Sequence, residues 1–230
     1  MAAGACLSHL GAKMPCDPFE MALVHAGFRR EFHNAAGLVG DVAAGDHRRA
    51  GVVGAHIDFM ITALHYHHHA EDTVVWPRLS ARIPGRSAEI SRMEDAHRAI
   101  DDTSERVRAT AVQWAKGGDR RLAGELAPLV EEFAGRVDEH FDDEERDVVP
   151  LIAEHLTPKE WRKFLAHGSA FLRTHPKWGL ALGGVVLDGT SSHTRQRFLA
   201  NVPLPARAAF KVAGERVYAG YRARVYGPAR

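Results

Sequence analysis

The chain has few of the features that usually announce a function. Its 230 residues contain two cysteines, Cys6 and Cys16, outside any Cys-x2-Cys pattern, so no disulfide framework or zinc ribbon is indicated and a reducing compartment fits best. Charge of one sign is missing too: Lys plus Arg number 30 against 29 Asp plus Glu. That balance carries no electrostatic footprint for nucleic acid or an anionic membrane. The start, Met1 to Leu10, has no basic leader before an apolar run, so no secretory signal is expected and the chain reads as cytoplasmic. The most apolar later stretch, Trp178 to Leu187, spans about ten residues and includes three glycines. A bilayer span needs roughly 20 residues, so no transmembrane helix is predicted.

Histidine is what the chain has in excess, with 15 residues. Two segments stand out, one running from His67 through Glu71 to Pro77 and the other from His140 through Glu144 to Pro150. Both read His-x3-Glu, with Pro six residues after the Glu. Residues four apart on a helix lie about 40° from each other around the axis and roughly 6 Å along it, so each His and Glu share a face. Two such helices facing each other supply nitrogen and carboxylate ligands to one site in a bundle core.

The apolar periodicity predicts four long helices. The first carries Met21, Phe28, Phe32, Ala35 and Val39, with His25 inside the stripe. The second runs through Ile57, Met60, Leu64, His67, Glu71 and Val75, with Pro77 and then Pro84-Gly85 as closing signals. Ser87 reads as the cap of a third, whose face holds Ile90, Met93, His97, Ile100, Val107 and Trp114 before Gly117-Gly118. The fourth carries Leu122, Leu126, Val130, Phe133, Val137, His140, Glu144, Val148, Leu151 and Ile152 and is expected to end before Thr157-Pro158. Short connections predict an all-α, up-down-up-down four-helix bundle over residues 17–155. In that topology His25, His67, His97 and His140 all fall about 12–22 Å from the same end of the bundle, which is one level.

Beyond residue 156 the pattern changes. Thr157-Pro158-Lys159-Glu160 reads as a capped helix start, with a short helix expected through Leu172. Further helices are predicted around Leu180–Leu187, Ser192–Leu199 and Pro205–Tyr221. Residues 156–230 are thus expected to form a C-terminal helical extension that covers the bundle or offers a partner surface, including one for a homodimer, because its apolar residues need burial.

The candidate ligands are His25, His67, Glu71, His97, His140 and Glu144. This nitrogen and oxygen set suits iron or, less well, manganese better than a thiolate zinc site. If both carboxylates bridge two metals, each ion takes two histidines and two carboxylate oxygens, which leaves room for O2 or peroxide. His56 is too far along its helix to share the ion and reads as a core or channel residue. His65, His68 and His69 lie off the stripe and read as solvated or supporting groups, and Asp72, Asp142, Asp143 and Glu145 as a solvated face.

Together, the His67-His68-x2-Glu71 and His140-x3-Glu144 runs and the single histidines His25 and His97 resemble the hemerythrin-like proteins with a His-His-Glu cation-binding domain. The resemblance implies a four-helix bundle with a non-haem di-iron site, bridged by Glu71 and Glu144 and capped by four histidines. It also implies a role in O2 binding or sensing, iron handling, or reaction with peroxide or nitric oxide. O2-carrying members place two histidines four apart on the third helix, where this chain has His97 and then Asp101, a possible additional ligand. A more anionic site favours the ferric state, and so peroxide chemistry in an oxidative or nitrosative stress response over O2 storage.

Overall fold

The computed structural model describes residues 16–169 and 176–227, and every regular element among them is helical. Helix α1 spans Phe19–Gly40 and α2 His47–Ala70. A π-helical turn, Glu71–Val75, carries α2 into α3, Trp76–Arg82. Helix α4 covers Ser87–Gly117, α5 Arg120–Asp147 and α6 Val149–His155. The remaining chain forms α7 (Pro158–Gly168), α8 (Pro176–Leu187), α9 (Ser192–Asn201), α10 (Leu204–Ala209) and, after a second π turn, α11 (Glu215–Tyr226). Cys6, the first ten residues and the end of the helix expected through Leu172 lie outside the described residues.

Local chemistry sets these boundaries. Asp46 accepts from the Arg49 N–H and Asp119 from the Leu122 N–H, so each caps a helix whose first amides lack partners. Gly118 ends α4 with φ of 62°, and a Cβ there would lie 3.1 Å from the Asp46 backbone. Glycine lets the two loops at that end meet. Thr157 and Glu160 form the expected capping box at the start of α7. Ser87 is not a cap: a 3-10 turn, Pro84–Arg86, precedes it, and Arg86 occupies the cap position without a side-chain bond. Pro77 does not end its helix either. Proline has no N–H to return to the preceding turn, and the extra residue of the π turn absorbs that loss, the Trp76 N–H reaching the Glu71 carbonyl.

Helix α1 packs on α5 and α2, α2 packs on α4, and α4 packs on α5. Their buried faces form two apolar clusters. One contains Phe28, Phe32, Ile57, Leu64, Val107, Trp114, Phe133 and Phe141. The other contains Met21, Val74, Trp76, Leu79, Met93, Ile152, Trp161 and Phe164. His67 touches Phe28 and Phe141 of the first and Phe164 of the second, so the histidine layer lies between them.

The C-terminal helices pack against this framework, α7 on α2, α8 on α1 and α11 on α2. They also satisfy two carboxylates buried on α1. Glu20 accepts from the Trp161 indole N–H at 2.9 Å and the Asn201 amide at 2.5 Å. Glu31 accepts from the Tyr226 hydroxyl, and His56 Nδ1 lies 2.6 Å from the Tyr221 hydroxyl. No helix among the described residues is long and apolar enough to cross a membrane.

Candidate metal centre

Two groups of buried ligand atoms meet inside the bundle. His25, His67, Glu71 and Glu144 bring one atom each within 4.8 Å of one another, and so do His68, Glu71, His97 and His140. Glu71 belongs to both, and its two oxygens divide between them. Oε1 stands 3.2 Å from His67 Nε2 and Oε2 3.5 Å from His97 Nε2. On the opposite wall Glu144 Oε2 is 3.4 Å from His25 Nε2 and 3.9 Å from His140 Nε2. The imidazoles converge in pairs, His25 and His67 Nε2 at 3.1 Å, His97 and His140 Nε2 at 3.2 Å.

All six residues of the expected ligand set are therefore brought together, whereas Asp101 is not. Its side chain is 47% exposed, and Oδ1 lies 3.5 Å from His65 Nδ1 on the outer surface. His68 departs from expectation in the other direction. It is 2% exposed and stacked on His97 with ring centroids 4.0 Å apart, inside the second group. Adjacent helical residues differ by about 100° around the axis, so a stripe drawn through His67 leaves His68 off it. Here the inward direction falls between the two, and each histidine serves one group. The His67-His68 doublet just ahead of Glu71 was the available signal. His65 and His69 are exposed, as expected.

Two of the acids read as solvated hold the site from behind. Glu145 Oε1 lies 2.8 Å from His25 Nδ1, and Asp72 Oδ1 lies 2.8 Å from His97 Nδ1. With Nδ1–H donating outward, each ring keeps its Nε2 lone pair pointing inward, the arrangement that orients a metal-binding imidazole. Arg29 Nη2 sits 3.6 Å from Glu145 Oε1 and braces it. Each acid directly follows a central glutamate, a second correspondence between the two motifs. Removing these props, as Glu145→Ala or Asp72→Ala, is expected to weaken metal binding about 10- to 100-fold, read by competition with a chelator.

Electrostatics shows how poorly these groups suit a site without a cation. Burial, reinforced by the facing Glu144, pushes Glu71 well above the ordinary carboxyl range, and burial raises Glu144 as well. Burial also holds His25, His67, His68 and His140 below the usual imidazole value. In contrast, the His25 hydrogen bond keeps Glu145 low. Both oxygens of Glu71 and of Glu144, both ring nitrogens of His68 and Nδ1 of His140 are buried without a hydrogen-bond partner. Orphaned buried acceptors are costly, and a cation ligated by carboxylate and imidazole removes that cost.

A pH dependence follows for the metal-stripped chain. A carboxyl whose folded pKa is raised binds more protons folded than unfolded once pH exceeds its usual 4.5, so stability falls as pH rises. The lowered imidazoles give the opposite slope, but only up to their usual 6.5. Above about pH 6.5 the carboxyl contribution is unopposed. The melting temperature of stripped protein should therefore drop between pH 6.5 and 8, and metal should flatten that drop by displacing the protons.

The fold and the site define a class of protein, an all-helical chain with paired histidine–carboxylate ligand groups in its core. The profile of the Hemerythrin HHE cation binding domain matches residues 19–152, and the chain belongs to that family. No curated protein and no solved structure matches it.

Proposed function

We propose that this chain is a non-haem di-iron protein of the oxidative or nitrosative stress response that reacts with hydrogen peroxide, with O2 and nitric oxide as related small ligands. The observation that carries this reading is the division of the Glu71 oxygens between two adjacent ligand groups. In this reading α1, α2, α4 and α5 are the four members of an up-down-up-down bundle over residues 17–155, and residues 156–230 are its extension. His25, His67, Glu71 and Glu144 would hold one iron, and His68, His97, His140 and the second oxygen of Glu71 the other. Mixed imidazole and carboxylate donors favour iron, and manganese less.

Iron bound there would supply redox chemistry toward a small oxidant. The chain's own residues supply the rest. Glu145 and Asp72 would orient the rings of His25 and His97, with Nδ1 directed outward and Nε2 toward a bound ion. Phe141, stacked on His25 at 3.8 Å, and Phe28, Phe164 and Trp76 around His67 and His97 keep bulk water from the layer. An apolar lining of this kind favours diatomic molecules and peroxide over larger, more polar substrates. A cytoplasmic location fits such a role.

The test is metal content after anaerobic iron reconstitution, followed by excess peroxide while O2 release is recorded. Two irons per chain with sustained O2 release would support peroxide turnover. Absence of iron would sink the proposal. A second reading, an O2- or iron-sensing module without turnover, is favoured by the Phe164 ring of α7, 6.0 Å from His67. Occupancy of the site could reach the C-terminal helices, and any protein partner or second copy, through that contact. One reversible spectral change without turnover would select it.

A further inference from the structure

The outer face of α2 carries histidines that the buried centre does not use. His65 and His69 are one helical turn apart and exposed, with rings nearly parallel at 7° and centroids 6.4 Å apart. His167, at the end of α7, brings its ring within 5.4 Å of His69. Asp101 of α4 approaches the other end of the row, 3.5 Å from His65 Nδ1. Three separate helices thus contribute to one line of groups on the surface.

We propose that His65, His69 and His167, with Asp101 orienting His65, form a second, surface site for a divalent late transition-metal ion such as Zn2+. Two histidines at i and i+4 on one helical face can grip a single ion, and their spacing does so without any change of backbone. Binding would require side-chain rotations that bring both ring nitrogens to the roughly 2.0–2.1 Å of a zinc–imidazole bond. Three imidazoles suit zinc, nickel or copper, whereas magnesium and calcium prefer oxygen ligands. Asp101 against Nδ1 leaves Nε2 of His65 as the coordinating atom.

The position of His167 is built. Gly168 lies so close to α2 that a Cβ there would stand 3.6 Å from the Ala70 methyl, so the end of α7 rests on α2 beside His69. An ion bound here links the C-terminal extension to α2 and, through Asp101, to α4. None of its four side chains belongs to the buried ligand groups.

The test uses the full chain after iron reconstitution, titrated with Zn2+ by calorimetry alongside three variants. The double variant His65→Ala/His69→Ala should bind one zinc fewer than the parent while its iron content is unchanged. His167→Ala and Asp101→Ala should each weaken that zinc about tenfold or more. Because these side chains are exposed or half-exposed, the variants should fold normally, checked by helical circular dichroism. Equal zinc stoichiometry in the parent and the double variant would overturn the site. Unchanged affinity in His167→Ala would overturn its reach across helices.

Discussion

Glu71→Gln is expected to remove both of the proposed metal ions from the chain. Glutamine keeps the volume and the helix but loses the anionic charge that each ligand group draws from this residue. Its oxygens face His67 on one side and His97 on the other, so neither group keeps its full donor set. Metal analysis of the variant, purified alongside its parent, should show loss from both groups. Melting in the presence of metal should fall as well, because a ligand at about 1,000 times its Kd stabilises the folded state by about 4 kcal/mol. The metal-free variant should melt no lower than the metal-free parent, since it no longer buries a carboxyl facing Glu144. Retention of two ions would show that Glu71 is no bridge.

His68→Leu should cost one of the two proposed ions and spare the other. His68 belongs to the group with Glu71, His97 and His140, whereas His25, His67, Glu71 and Glu144 form theirs without it. Leucine fills similar space and has no lone pair, so the affinity of the second group should drop by about 100-fold or more. Stripped of metal, the variant should equal or exceed the parent in stability, because both unpartnered ring nitrogens of His68 are gone. His193→Leu is the control, an exposed histidine outside both groups. Unchanged metal content and spectrum in His68→Leu would make His68 a packing residue and return the site to four histidines.

Much of this site was legible in the chain. His25, His67, His97 and His140 sat on apolar stripes, and the repeated His-x3-Glu-x5-Pro motif set Glu71 and Glu144 beside two of them. All six lie in the buried layer. The sequence places His68 off the stripe because a single averaged stripe cannot assign residues 100° apart when the inward direction runs between them. The sequence alone puts Glu145 and Asp72 on a solvated face for a related reason. Each is only partly exposed, and its partner lies on another helix, 120 residues away for His25 and 25 for His97.

Helix type, the ligand-bearing faces and the two carboxylates were determined by the sequence alone, because helical periodicity is a local property that survives without knowledge of neighbours. Only the tertiary structure decided that Glu71 belongs to both groups and Glu144, also expected to bridge, to one, that His68 joins the second, and that Asp101 lies outside with His65. The same holds for the α1 acids, Glu20 and Glu31, buried and satisfied by Trp161, Asn201 and Tyr226 far along the chain. The physical reason is that a buried polar group must find a partner in three dimensions, and no spacing along one helix says which distant side chain will provide it.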